Sequence, residues 1–160
     1  MRHEQRGFSL IELLIVVAII LIIAAIAIPN FLRSRVAANQ ASAIESLRVI
    51  STAEVTFSTT YGSGFSSSMM YLAPPAAGQQ TTSTAAGLID SVLAGGYKSG
   101  YSFFYTPTLI DAGTINGYTL LANPSAYGQT GSIYYFTDQS FVIRANSTTP
   151  ASATDTSVGD

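Results

Sequence analysis

This chain has no cysteine and no tryptophan, and it has a single histidine. Without cysteine, no disulfide can staple the fold, and no thiolate can ligate a metal or attack a substrate. The one imidazole, His3, lies in a short polar head ahead of a long apolar run, so the rest of the chain has none for general-base work. Charge is also scarce. Charged residues make up 10% of the chain, against about a quarter in ordinary soluble domains. The net charge of −2 provides no basic field to draw in nucleic acid, so no nucleic-acid contact is expected. Between Val55 and Asn146 the ionisable groups other than tyrosine are Asp90, Lys98, Asp111, Asp138 and Arg144. Nothing in their spacing points to a catalytic pair. No cofactor, metal site or catalytic residue is expected.

The apolar residues are concentrated instead. Residues 1–7, Met-Arg-His-Glu-Gln-Arg-Gly, are polar, and Phe8–Ile28 then runs for 21 residues with only Ser9 and Glu12 as polar members. As a helix rising about 1.5 Å per residue, such a run spans roughly 30 Å, the hydrocarbon thickness of a bilayer. Pro29 follows and predicts a kink or local break, because proline removes a helical N–H and crowds the preceding turn. From Asn30 to Tyr61 the pattern becomes amphipathic, with Leu32, Val36, Ala43, Leu47, Ile50 and Phe57 on one stripe. Residues 62–83 are rich in Gly, Ser, Pro, Gln and Thr and read as a loop. Thr84–Ala94 predicts a short helix stopped by Gly95-Gly96. Four strands are expected at Tyr101–Tyr105, Gly117–Ala122, Ser132–Thr137 and Ser140–Ala145, with Asp138-Gln139 as a turn. The expectation is an α+β chain: one long N-terminal helix, apolar in its first half (8–29), continuing over 30–61 and packed there on a small antiparallel head (62–145). The polar tail 146–160 reads as disordered.

Glu12 is the residue that most needs a reason. A carboxylate inside an apolar helix costs about 2.5–3.5 kcal/mol on insertion scales, and such residues are usually functional. Residues 13–32 carry no charge, and the apolar segment itself offers no Lys, Arg or His. Cutting after Gly7 creates a cation, because the freed α-amino group of Phe8 has an ordinary pKa near 8 and is mostly protonated at neutral pH. Within one chain Phe8 and Glu12 lie one helical turn apart. Between chains the same pair sets the axial register of helices whose other contacts are featureless aliphatic side chains.

The stretch Gly7-Phe8-Ser9-Leu10-Ile11-Glu12-Leu13 resembles the class III signal sequence of type IV prepilins and of the pseudopilins of type II secretion. The resemblance is close over Gly7–Phe31 and agrees only in pattern beyond it. It implies cleavage after Gly7 by a prepilin peptidase and N-methylation of Phe8, which preserves the positive charge. It also implies an assembly role for Glu12 and a helix-breaking role for Pro29. The implied partners are copies of the chain itself in a helical homopolymer, the prepilin peptidase, an inner-membrane assembly platform, and the membrane before assembly. The implied location is a single pass of the bacterial inner membrane, then an extracellular pilus or a periplasmic pseudopilus. Adhesion, motility, DNA uptake and protein secretion all occur in the family, and the head does not choose among them. The chain departs from the pattern in two respects. It lacks the cysteines that close the C-terminal loop of many pilins. Its late acids Asp138, Asp155 and Asp160 are too scattered for the calcium cage of the major pseudopilin.

Other readings stand beside this one. A secretory signal peptide shares the basic start and the Ala-x-Ala at Ala25–Ala27, but its apolar region runs only about 7–15 residues and excludes a Glu12. A plain membrane anchor for a binding module or enzyme leaves Glu12 without purpose. Arg2 and Arg6 favour a cytoplasmic N-terminus, while Arg33 and Arg35 follow the span, so the charge count leaves the orientation to the resemblance. The aromatics alternate along the expected strands (Tyr101, Phe103, Tyr105), as a sheet core requires. Asn146-Ser147-Thr148 fits a glycosylation sequon.

Overall fold

The computed structural model describes residues 8–111 and 113–159. The leader 1–7, with Gly7, and the terminal Asp160 lie outside the described residues. The chain divides into two compact units, Met1–Arg35 and Val36–Asp160.

One helix, α1 (Leu10–Tyr61), supplies the described structure of the first unit and opens the second. In the first unit it is almost wholly aliphatic, and its side chains stand exposed along the whole run. The break expected at Pro29 is not an interruption: the residues on both sides are helical and Pro29 lies inside α1. Proline deletes one N–H and one intrahelical bond, and the Ala- and Leu-containing turns around it hold the helix through that single loss.

In the second unit α1 becomes amphipathic and buries Ala43, Leu47, Ile50, Ala53 and Phe57. After it come a 3-10 turn at Met69–Leu72, capped by Ser68, and a four-residue helix α2 (Ser91–Ala94). The longer helix expected over Thr84–Ala94 is cut short. Gly87 sits at φ +69°, outside helical space, and Asp90 starts the helix by accepting the Leu93 N–H at 2.9 Å. Six strands follow: β1 (Tyr97–Lys98), β2 (Tyr101–Asp111), β3 (Thr114–Pro124), β4 (Tyr134–Asp138), β5 (Arg144–Asn146) and β6 (Thr156–Ser157). They form one antiparallel sheet in sequence order. The sheet is an antiparallel meander as expected, with an added strand at each edge, but the strand expected over Ser140–Ala145 starts only at Arg144, because Phe141 turns through φ +63°.

β2 and β3 run twice as far as expected. Pro107 lies inside β2 and is tolerated there. Its partner on β3 is Tyr118, while β1 pairs only with Tyr101 and Ser102, so the other side of β2 at Pro107 is a free edge that needs no N–H. The alternation along β2 sends Tyr101 and Phe103 inward beside Tyr118, Leu120 and Ala122 of β3 and Tyr135 of β4. These residues meet Leu47, Ile50 and Phe57 of α1, with Leu72 and Leu93, in one core. Each fully buried Leu or Ile contributes about 1.5–3 kcal/mol of apolar transfer. The core tyrosines keep their hydroxyls satisfied. Tyr101 donates to the Ile133 carbonyl at 2.8 Å, Tyr105 to the Ser66 carbonyl at 2.8 Å, and Tyr118 to Ser51 Oγ at 3.3 Å.

The tail expected to lack structure is organised. β6 pairs with β5, and Asp155 holds the intervening loop shut. It accepts from the Ser152 N–H at 2.7 Å, from Ser152 Oγ at 2.9 Å and from Asn146 Nδ2 at 2.8 Å, while Arg144 Nη1 donates to its carbonyl at 2.8 Å. A low-hydrophobicity segment can fold here because its polar side chains bond one another in place of apolar burial. Asn146 also accepts from the backbone of Thr148 and Thr149, so both ends of the amide that the sequon would modify are engaged.

Candidate processing and assembly site

The residues singled out at the N-terminus lie together where α1 begins. Phe8 and Ser9 are not helical, Leu10 is the first helical residue, and Glu12 sits in the first turn. The Glu12 carboxylate turns back on the chain, and its Oε2 accepts the Ser9 N–H at 2.9 Å. The Leu13 N–H donates to the Ser9 carbonyl at 3.3 Å, so Ser9 occupies the N-cap position. Ser9-Leu10-Ile11-Glu12 is thus the acidic half of a capping box, in which a glutamate three residues into the helix satisfies an orphan N–H. The helix N-terminus also carries partial positive charge, which favours an acid there. Sequence reasoning missed this role for Ser9, although Ser-x-x-Glu before an apolar run is its signature.

The bond accounts for one oxygen of Glu12 and for none of its charge. Among the described residues the ion pairs are Arg48–Glu45 and Lys98–Asp90, and Glu12 is in neither. The surrounding side chains are apolar and bare: Phe8 is 79% exposed and Leu10 81%. α1 is long and apolar enough to cross a membrane, with an 18-residue window of mean hydropathy 3.3, none of it buried. The site therefore combines an unbroken apolar surface with one carboxylate, and among the described residues that carboxylate has a hydrogen bond and no counter-ion. Pro29 lies inside the same helix and contacts neither Phe8 nor Glu12 by any hydrogen bond. Gly7 lies outside the described residues.

The head offers no competing centre. Among the described residues no group of three or more His, Asp or Glu side chains could hold a metal. Asp90 caps α2 and pairs with Lys98 at 2.9 Å, and both bonds hold its carboxyl below the usual carboxylate range, the Leu93 N–H most of all. Asp138 accepts from Ser140 in its own turn.

Comparison with known proteins bears on the N-terminal segment. Residues 2–28 match the family described as the prokaryotic N-terminal methylation motif. A curated relative, the type IV major pilin protein PilA of Myxococcus xanthus (strain DK1622), is 54% identical over 54 residues. The aligned stretch is 34% of this chain and spans 24% of that protein's length. No solved structure matches.

Proposed function

We propose that this chain, which is similar to type IV pilins over its N-terminal segment, is made as a single-pass inner-membrane precursor, trimmed after Gly7, methylated on Phe8 and polymerised through α1 into a filament. It is a pilin-like structural subunit and not an enzyme. The observation that carries the reading is Glu12: a carboxylate without a cation, capped on Ser9, inside an exposed apolar helix that starts just past the cleavage motif. Processing supplies the missing cation as the Phe8 amine. In the filament the amine of one copy meets Glu12 of the next and fixes the register that aliphatic side chains leave free.

The bare apolar surface fits both of its proposed surroundings. Lipid covers it before assembly and neighbouring helices cover it afterwards, so transfer exchanges one apolar medium for another. The prepilin peptidase and an inner-membrane assembly platform act on the precursor in this reading. Likeness to a major pilin favours an extracellular pilus, while a periplasmic pseudopilus uses the same N-terminal chemistry.

Mass spectrometry of the purified chain tests the processing. The expected N-terminus is a methylated Phe8, and a chain that still begins at Met1 overturns the proposal. Electron microscopy of the fraction sheared from cells is expected to show filaments bearing this head. Filaments confined to the periplasm select the pseudopilus.

A further inference from the structure

α1 carries one acid into the core of the head. Glu54 is fully buried, and both its oxygens face Ser66, in the segment that follows the helix. The Ser66 N–H lies 2.8 Å from Oε2, and Ser66 Oγ lies 2.6 Å from Oε1. The same hydroxyl stands 3.1 Å from the Ser68 carbonyl. A serine hydroxyl has one hydrogen, so it cannot donate to both oxygens. If Glu54 is ionised, the hydroxyl must serve Oε1, and the Ser68 carbonyl loses this donor. If Glu54 carries a proton on Oε1, it donates to Ser66 Oγ, and Ser66 donates onward to Ser68. Only the second arrangement uses every contact.

The surroundings favour it. The titratable groups facing Glu54 are tyrosines, Tyr105 from β2 and Tyr118 from β3. Their hydroxyls are engaged, Tyr105 with the Ser66 carbonyl and Tyr118 with Ser51 Oγ. On α1 itself the preceding charges, Arg48 and Glu45, lie six and nine residues earlier, are exposed and pair with each other at 3.8 Å. Neither ion pair among the described residues includes Glu54. A buried carboxylate without a cation is costly.

We propose that Glu54 is a proton-linked latch. With a proton on Oε1 it joins α1, through Ser66, to the cap of the 3-10 turn at Met69–Leu72. When that proton leaves for solvent, the Ser66 O–H swings to Oε1, the Ser68 carbonyl loses its donor, and residues 66–72 loosen. Met70 and Tyr71 stand exposed on this segment, so the proton controls how firmly part of the head surface is held.

Burial raises the Glu54 pKa, and its hydrogen bonds with Ser66, and then with the Tyr105 hydroxyl, only partly oppose this. The folded head therefore keeps its proton where the unfolded chain has lost it. The latch is closed below the ordinary glutamate value of about 4.3 and opens as pH rises through a higher folded midpoint.

The test uses the full chain in detergent micelles, with side-chain carboxyl carbons labelled for NMR titration and amide exchange read in parallel. The Glu54 carboxyl is expected to titrate above the ordinary value. Across that midpoint, exchange at residues 66–72 is expected to rise about three- to tenfold relative to Leu120, the loss of one hydrogen bond. Glu54→Gln reproduces the acid form, with Oε1 accepting from Ser66 N–H and Nε2 donating to Ser66 Oγ, so its relative exchange is expected to stay flat with pH. Ser66→Ala keeps the backbone bond and breaks the relay, so it is expected to be loose at every pH. A Glu54 midpoint at or below the ordinary value, or equal pH dependence in Glu54→Gln, overturns the proposal.

Discussion

The observed hydrogen bond of Glu12 and its proposed pairing in the filament can be separated, because bond and charge are different properties of one side chain. The bond to the Ser9 N–H needs only an acceptor. The register pairing with a processed Phe8 needs a negative charge. Glu12→Gln keeps the first and removes the second, and Glu12→Ala removes both. The acid lies two residues into α1, about 3 Å along the axis, so it sits near one end of the apolar span. Its cost in lipid is therefore at or below the roughly 2.5–3.5 kcal/mol of a central acid. Neutralising it makes the membrane-embedded precursor more comfortable by up to that amount. In the filament, removing one partner of a buried pair leaves the amine unmatched, at about 3–5 kcal/mol. At 1.4 kcal/mol per tenfold, subunit addition weakens by roughly a hundredfold or more. Loss of the cap alone is smaller, about 1 kcal/mol. Both variants are expected to reach the membrane fraction at wild-type levels, to be cut after Gly7, and to give no sheared filaments by immunoblot and electron microscopy. Wild-type filament yield from Glu12→Gln refutes the charge argument and leaves only the cap. Failure of both variants to accumulate in membranes refutes the claim that the acid is dispensable before assembly.

Two further outcomes follow from the head. A methyl group on Gly131 would lie 2.2 Å from Tyr101 Oη and 2.6 Å from its Cζ. Gly131→Ala is therefore expected to cost about 1–3 kcal/mol in thermal unfolding. Most of that penalty is expected to vanish when Tyr101→Leu vacates the space, and an equal penalty in both backgrounds rejects the contact. Asp155 is held below the usual carboxylate range, first by the Ser152 N–H, then by the Asn146 amide and the Ser152 hydroxyl. Its contribution is present above the ordinary aspartate value and is lost as pH falls through the lower folded one. Limited proteolysis is expected to cut the C-terminal loop as pH drops through that window, and Asp155→Asn is expected to be cut at neutral pH as well. A loop that stays intact in both cases removes Asp155 as the clasp.

What the sequence disclosed tracks how far each signal reaches along the chain. The long helix and the sheet class are read from periodicity, which is local: Leu47, Ile50 and Phe57 recur at helical spacing and are buried. The acid at the helix start is likewise legible from the charges that residues 13–32 lack. The misses have a different origin. The buried stripe steps three residues from Leu47 to Ile50 and then seven to Phe57, and the position it skips is Glu54, which is fully buried. Periodicity asked for an apolar residue there and had no way to foresee a serine twelve residues later that satisfies a carboxyl group. β2 outran its expected end at Tyr105, through Pro107, because a free edge that tolerates proline is a property of the assembled sheet, not of β2 alone. The tail failed as disorder because composition counts apolar residues, whereas Asp155 organises its loop through four polar bonds across residues 144–155. The same distinction separates the two acids of α1. Glu12 sits at the head of an apolar run with no charge over residues 13–32, so it stands out from sequence alone. Glu54 lies in a stretch of mixed polarity, and the Ser66 that satisfies it comes twelve positions later, which is what hid it.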